Sequence, residues 1–168
     1  MKTYAGIGAR KTPADILDLM VQIGSELSND NWTLHSGGAD GADSAFEYGA
    51  EKKQIFLPWS GFNIREEEGD LVLDNLQAWD VVSKHFHPAP EKCTTGAQRL
   101  HGRNAFIILG HELNEPVDMV ICWTPKGEIT GGTGLALRIA QAAEIPVFNL
   151  YFEDQIESLI QFVENYDV

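Results

Sequence analysis

The chain has 168 residues, an apolar share of 43% and a formal net charge of −13 at pH 7, which allows one domain with a substantial core and leaves no basic run. No apolar stretch approaches the length of a transmembrane helix and no apolar signal region precedes the first strand-like segment, so a cytoplasmic protein with no membrane partner is expected. A surface this acidic repels a phosphate backbone, so nucleic acid is expected to be an unlikely partner, whereas a small anionic ligand is still allowed in a pocket that gathers a few arginines.

Tyr4 to Gly8 reads as a short strand running into a tight glycine turn. Thr12 and Pro13 then predict a helix start, with Thr12 as N-cap and Pro13 at the first helical position. Ile16, Leu19, Ile23 and Leu27 recur at helical spacing and are expected to face a sheet. Trp32 to His35 is a second strand, followed at once by the glycine-rich turn SGGADGAD over 36–43 and a helix through Ala45, Phe46 and Ala50. Gln54 to Leu57 is a third strand, stopped by Pro58. The β-α-β-α-β order predicts an α/β fold, a Rossmann-like open, mainly parallel sheet with helices on both faces.

Residues 61–98 break the rhythm and are read as an insertion or lid within this single domain. The next helix, Leu100 to Leu109, is preceded by Arg99 and carries Arg103 and Asn104. Met119 to Trp123 is a continuous apolar run, the pattern of a buried parallel strand. It enters TPKGEITGGTGLALR over 124–138, where Gly131, Gly132 and Gly134 fall at a strand-to-helix turn. Pro146 to Leu150 is the last strand, and Ile156, Leu159, Ile160 and Val163 mark a closing amphipathic helix.

Three glycine turns thus follow strands: Gly6/Gly8, Gly37/Gly38/Gly41 and Gly131/Gly132/Gly134. In an open parallel sheet all three meet at the carboxyl edge, where ligands bind. Backbone N–H groups at such turns, with a helix dipole behind them, suit a phosphate. No Gly-Lys-Ser/Thr follows any of them, and no acidic residue stands about twenty positions beyond a GxGxxG, which disfavours a P-loop and an ordinary NAD dehydrogenase.

Each polar residue near these turns has two readings. Arg10 is a fork donor to phosphate or one half of a surface ion pair. Ser36 donates to phosphate or serves its turn. Asp40 and Asp43 contact a ribose, act as acid or base, or cap the following helix. Thr133 donates to phosphate or is the helix N-cap. Trp59 stacks on a base or packs the fold. Cys93 and Cys122 form no CxxC pair; Cys122 reads as a core residue and Cys93 as an exposed thiol. His85, His87, Cys93 and His101 raise the question of a metal, but their spacing fits no standard zinc pattern, and no metal site is expected.

The motifs GIGAR (6–10), LHSGGADGAD (34–43), LPWSGFN (57–63), RLHGRN (99–104), VDMVICWTPKG (117–127), GGTG (131–134) and IPVFNL (145–150) together resemble the SLOG superfamily. This is the Rossmann-like group that holds the Smf/DprA proteins and the LOG phosphoribohydrolases, and the likeness is greatest to its YspA-like branch. The resemblance implies a nucleotide or nucleotide-derived ligand, with Gly8, Arg10, Ser36, Gly37, Gly38, Asp43, Arg99, Asn104, Gly131, Gly132, Thr133 and Gly134 binding it. It also implies a homodimer. No cofactor beyond such a ligand is implied, and the leading expectation is a sensor or sequestering protein.

A LOG-like nucleoside 5′-monophosphate glycosidase is the first alternative. Arg103 or Arg99 would then be the catalytic arginine. Leu135, Ala136 and Leu137 stand where that family's glutamate belongs, so Asp40, Asp43 or Glu128 would have to replace it, with Asp40 paired to Arg103 as the catalytic set. A DprA-like DNA-binding mediator is the second alternative, disfavoured by the charge.

Overall fold

In the computed structural model, residues 1–167 are described. The strands are β1 (Lys2–Gly6), β2 (Trp32–Ser36), β3 (Lys53–Ile55), β4 (Met119–Cys122) and β5 (Val147–Asn149). They form one five-stranded sheet in the order β3-β2-β1-β4-β5, and every pair is parallel. The helices are α1 (Ala14–Asn29), α2 (Ala42–Gly49), α3 (Asn75–Val81), α4 (Thr95–Leu109), α5 (Gly131–Ala142) and α6 (Glu153–Asn165). The α/β, Rossmann-like architecture expected from the sequence is the one observed.

Two cores sandwich the sheet. On one face α1, α2 and α6 cover Tyr4, Trp32, Leu34, Met119 and Ile121, closing over Met20, Phe46 and Leu159. Trp32 is fully buried and meets Tyr4 edge-on at 6.5 Å. Burying a side chain of this size contributes roughly 3 kcal/mol. On the other face α3, α4 and α5 cover Ala5, Val120 and Cys122 with Ala78, Ile107, Ile108, Leu135 and Ile139. Alternate residues of β1 and β4 therefore serve opposite cores, and both faces of the sheet are covered.

The start of α1 differs from the expectation. Pro13 is the N-cap position, and no side chain caps the helix. The Thr12 hydroxyl instead donates to the Ala9 carbonyl at 2.6 Å. A proline at the N-cap position has no side-chain acceptor for the first helical N–H groups, and the preceding loop gives the Thr12 hydroxyl an acceptor of its own.

Residues 61–98 contribute α3 and single 3-10 turns at Phe62–Ile64, Ser83–Phe86 and Pro90–Lys92. Leu71 and Leu73 pack on the second core beside Val82 and Phe86. α3 crosses α4 so closely that a Cβ on Gly102 would collide with the Asn75 carbonyl oxygen. This segment buttresses the helix that carries Arg103.

No helix among the described residues is long and apolar enough to cross a membrane.

Candidate functional site at the carboxyl edge

The order β3-β2-β1-β4-β5 places its reversal between β1 and β4, the switch point where an open α/β sheet leaves a crevice. A pocket of about 460 Å³ lies there, within the range of small-molecule sites. The loop after β1, the start of α2, one face of α4 and the first turn of α5 line it.

Gly8 draws the first two of these together. A Cβ there would stand 2.8 Å from the Ala42 Cβ and 2.9 Å from the Trp123 carbonyl oxygen, so a side chain would force the loop outward. The Ala9 N–H donates to the Trp123 carbonyl at 3.2 Å, and the Ala9 carbonyl accepts from the Ala42 N–H at 3.4 Å. Clamped this way, the loop leaves Arg10 exposed at the pocket rim.

Arg103 and Asp43 close the pocket floor. Both are 6% exposed, so each is a charge largely removed from water. Arg103 Nη1 donates to the Gly37 carbonyl at 2.6 Å and to the Phe56 carbonyl at 3.3 Å, while Nε donates to Asn104 Oδ1 at 2.9 Å. Its Nη2 has no protein acceptor among the described residues. Asp43 Oδ2 accepts from the Ala39 N–H at 3.3 Å. Gly37 sits between the two charges: a Cβ there would be 2.8 Å from Nη1 and 2.9 Å from Oδ2.

Burial pushes the Asp43 carboxyl up to about 6, against the opposing pull of Arg103. Burial likewise brings the guanidinium down to about 10, against the pull of Asp43, with Arg10 adding to the depression. Desolvation therefore outweighs the attraction within the pair. The pair is one protonation step from a net positive floor.

The wall opposite is the first turn of α5. Gly134 N–H reaches the Thr130 carbonyl at 2.9 Å, whereas the N–H groups of Gly131, Gly132 and Thr133 find no acceptor among the described residues. No side chain caps the helix. Those three residues line the pocket, with the dipole of a twelve-residue helix behind them. Asn104 Nδ2 donates to the Gly132 carbonyl at 3.2 Å and fixes α4 against this turn.

Gly8, Arg10, Asp43, Arg103, Asn104, Gly131, Gly132 and Thr133 are brought together around one cavity. Ser36 and Gly37 lie beneath it: the Ser36 hydroxyl is fully buried and donates to the Gly6 carbonyl at 2.6 Å. Gly38 takes a left-handed φ of 70° and offers its carbonyl to Asn63. Gly134 is packed against the Ile129 backbone. Arg99 is exposed and lines a separate shallow groove with Trp59 and Asn75. Asp40 is exposed and accepts from Asn63 Nδ2 at 3.0 Å, outside the pocket. Of Asp40, Asp43 and Glu128, only Asp43 lines the cavity.

His101, considered from the sequence only as a metal ligand, lines the same pocket. Its ring is held neutral down to about pH 4 by burial, helped by His87 and Arg103, and its Nδ1 is buried without a hydrogen-bond partner. His87, Cys93 and His101 each place a ligating atom within 4.8 Å of the others. The sequence shows these three residues within fifteen positions, and it is their spacing, which fits no standard zinc pattern, that sets them aside.

No protein-family profile matches the chain, and no characterised protein matches it in sequence. In three dimensions it is similar to DNA processing protein A from Helicobacter pylori, a structure solved for that protein's single-stranded DNA binding mode. The TM-score is 0.58 at 20% identity, over 88% of this chain and 64% of the other. This chain thus spans less than two thirds of that structure, and the likeness is one of fold.

This likeness corrects one expectation. Net charge led to nucleic acid being set aside as an unlikely partner, yet the fold is shared with a protein that binds single-stranded DNA. Screening limits a surface charge to about 8–10 Å, so the total over the chain does not report the potential at the carboxyl edge. There Arg10, Arg103 and a helix N-terminus converge.

Proposed function

We propose that the carboxyl-edge pocket holds a phosphate-bearing nucleotide unit, presented by a single strand of nucleic acid. One observation carries the reading: the free N–H groups of Gly131, Gly132 and Thr133 face a cavity shared with Arg10 and Arg103. Three donors at a helix start with two guanidiniums are a phosphate-recognition set. The strand form is supported by the shared fold with a single-stranded DNA-binding protein. The motif order further supports placing the chain with the SLOG proteins, near their YspA-like branch.

An acidic chain with one such pocket engages few phosphates. The salt dependence of strand binding is therefore expected to be shallow, about one to two phosphates' worth of counterion release. Fluorescence anisotropy with a labelled oligothymidylate, at two salt concentrations, tests this. Saturable binding that weakens about tenfold in Arg10→Ala supports the reading. No binding at low salt overturns the strand form.

A second reading is a free nucleotide ligand, favoured by the enclosure of the pocket by α4 and α5. Binding of mononucleotides, ADP-ribose or cyclic nucleotides without strand affinity would select it. If the ligand is hydrolysed, Asp43 rather than Asp40 is the carboxylate placed to take part, and released base should vanish in Asp43→Asn. Homodimerisation belongs to the same proposal, and light scattering on the purified chain reads it directly.

A further inference from the structure

A second cluster borders the pocket through His101. His87 ends the 3-10 turn Ser83–Phe86, Cys93 ends the turn Pro90–Lys92, and His101 stands on α4. Their backbones are tied together. Ser83 Oγ donates to the His101 carbonyl at 2.7 Å, and Gln98 Nε2 donates to the Cys93 carbonyl at 3.2 Å. Pro88 and Pro90 stiffen the intervening loop. Trp79 packs beside both imidazoles, with ring centroids 6.0 Å from His87 and 5.8 Å from His101.

From this geometry we infer that His87, Cys93 and His101 form a binding site for a thiophilic divalent cation, zinc by the chemistry of the donors. Two imidazoles and a thiolate are a borderline-soft set that selects zinc over magnesium or calcium. Cys93 Sγ lies 3.4 Å from His87 Nε2. Bond lengths of about 2.3 Å to sulfur and 2.0 Å to nitrogen give a tetrahedral edge of about 3.5 Å, so the two atoms already stand at ligand spacing. His101 supplies the third ligating atom within 4.8 Å of the other two, and its Nδ1 is buried and unpartnered, a rare state for a polar atom in a folded protein. Three protein ligands leave a fourth position for water.

The protons are accounted for. The Ala89 N–H donates to His87 Nδ1 at 3.0 Å, so in the metal-free ring the proton is on Nε2, facing the Cys93 sulfur. On binding, the thiol proton leaves to solvent and the imidazole proton moves from Nε2 to Nδ1. The Ala89 hydrogen bond breaks as it does so, which makes the loop 87–93 the segment that responds to metal.

The test is a titration of the full-length, chelator-stripped protein with cobalt(II) as a spectroscopic stand-in for zinc. One cobalt per chain, with a thiolate-to-cobalt charge-transfer band and tetrahedral visible bands, is expected. Cys93→Ser should abolish the charge-transfer band, Cys122→Ser should keep it, and His87→Gln or His101→Gln should weaken affinity at least tenfold. A wild-type protein without the band at excess cobalt, or a band that survives Cys93→Ser, overturns the site. Should a variant fail to fold, wild-type protein alone decides: zinc must slow alkylation of Cys93 at least tenfold, and an unchanged rate refutes the site.

Discussion

α4 carries two polar clusters two residues apart, and they are built on opposite plans. Around Arg103 the groups are charged, buried and answered by the protein itself: the Gly37 and Phe56 carbonyls, Asn104, and Asp43 nearby. Around His101 the groups are half-buried and only partly answered, with an orphan Nδ1 on His101 and a thiol that meets only an imidazole. A buried charge left without partners would destabilise the fold by several kcal/mol, so the first cluster must be largely paired before any ligand arrives, with Arg103 Nη2 left over. A neutral imidazole tolerates an open valence more cheaply. The first cluster therefore belongs to the fold as much as to the site, and the second is the one free to take something in.

Substitutions can break that contrast. Arg103→Ala should have the largest effect, because it strands two carbonyls and a buried carboxylate; a loss of about 3 kcal/mol is expected in urea denaturation. A loss under about 1 kcal/mol would mean the cluster is not structural. Asp43→Asn comes next and sharpens the electrostatics. Because folding raises the Asp43 carboxyl from 3.8 to about 6, the folded state binds the extra proton more tightly. That contribution is complete below about pH 4 and is lost as pH rises through 6, about 3 kcal/mol in all. The slope should disappear in Asp43→Asn, and anion affinity should rise as the wild type is acidified through pH 6. An unchanged slope would place the proton elsewhere.

Arg10→Ala is expected to leave stability within about 0.5 kcal/mol of wild type, since the side chain is exposed. Its roughly tenfold effect on strand or nucleotide affinity separates a rim contact from the floor. Smallest of all, Cys93→Ser in metal-free protein should shift stability by under about 0.5 kcal/mol. A large loss there would show that the second cluster is also part of the fold.

Much of this was legible before the structure. The strand-glycine-helix pattern at Gly8, Gly37 and Gly131 placed three turns on one edge, because parallel strands leave no other arrangement for such connections. Arg103 was legible through its motif. The Asp40/Asp43 choice was not: Gly41 has a left-handed φ of 80° and turns the chain between them, so one aspartate faces Asn63 and the other faces the cavity. Arg99 and Arg103 are one helical turn apart, yet Arg99 falls beside α3 instead of beneath the pocket. The His87, Cys93 and His101 grouping follows no local spacing, since one ligand comes from a helix and two from turns that pack on it. Only tertiary structure brings them together.

The bridge between Phe56 and Leu71 has a consequence for assembly. Leu71 donates its N–H to the Ile55 carbonyl at 2.8 Å and accepts from the Leu57 N–H at 2.7 Å, so it occupies the outer flank of β3. The exposed Glu66, Glu67 and Glu68 lead up to it. At the opposite flank β5 is three residues long and follows Pro146. A strand from another molecule would meet an occupied, negatively charged border on one side and a short, proline-led border on the other. Both sides are guarded against strand addition, so the sheet is protected from polymerising edge to edge in concentrated solution.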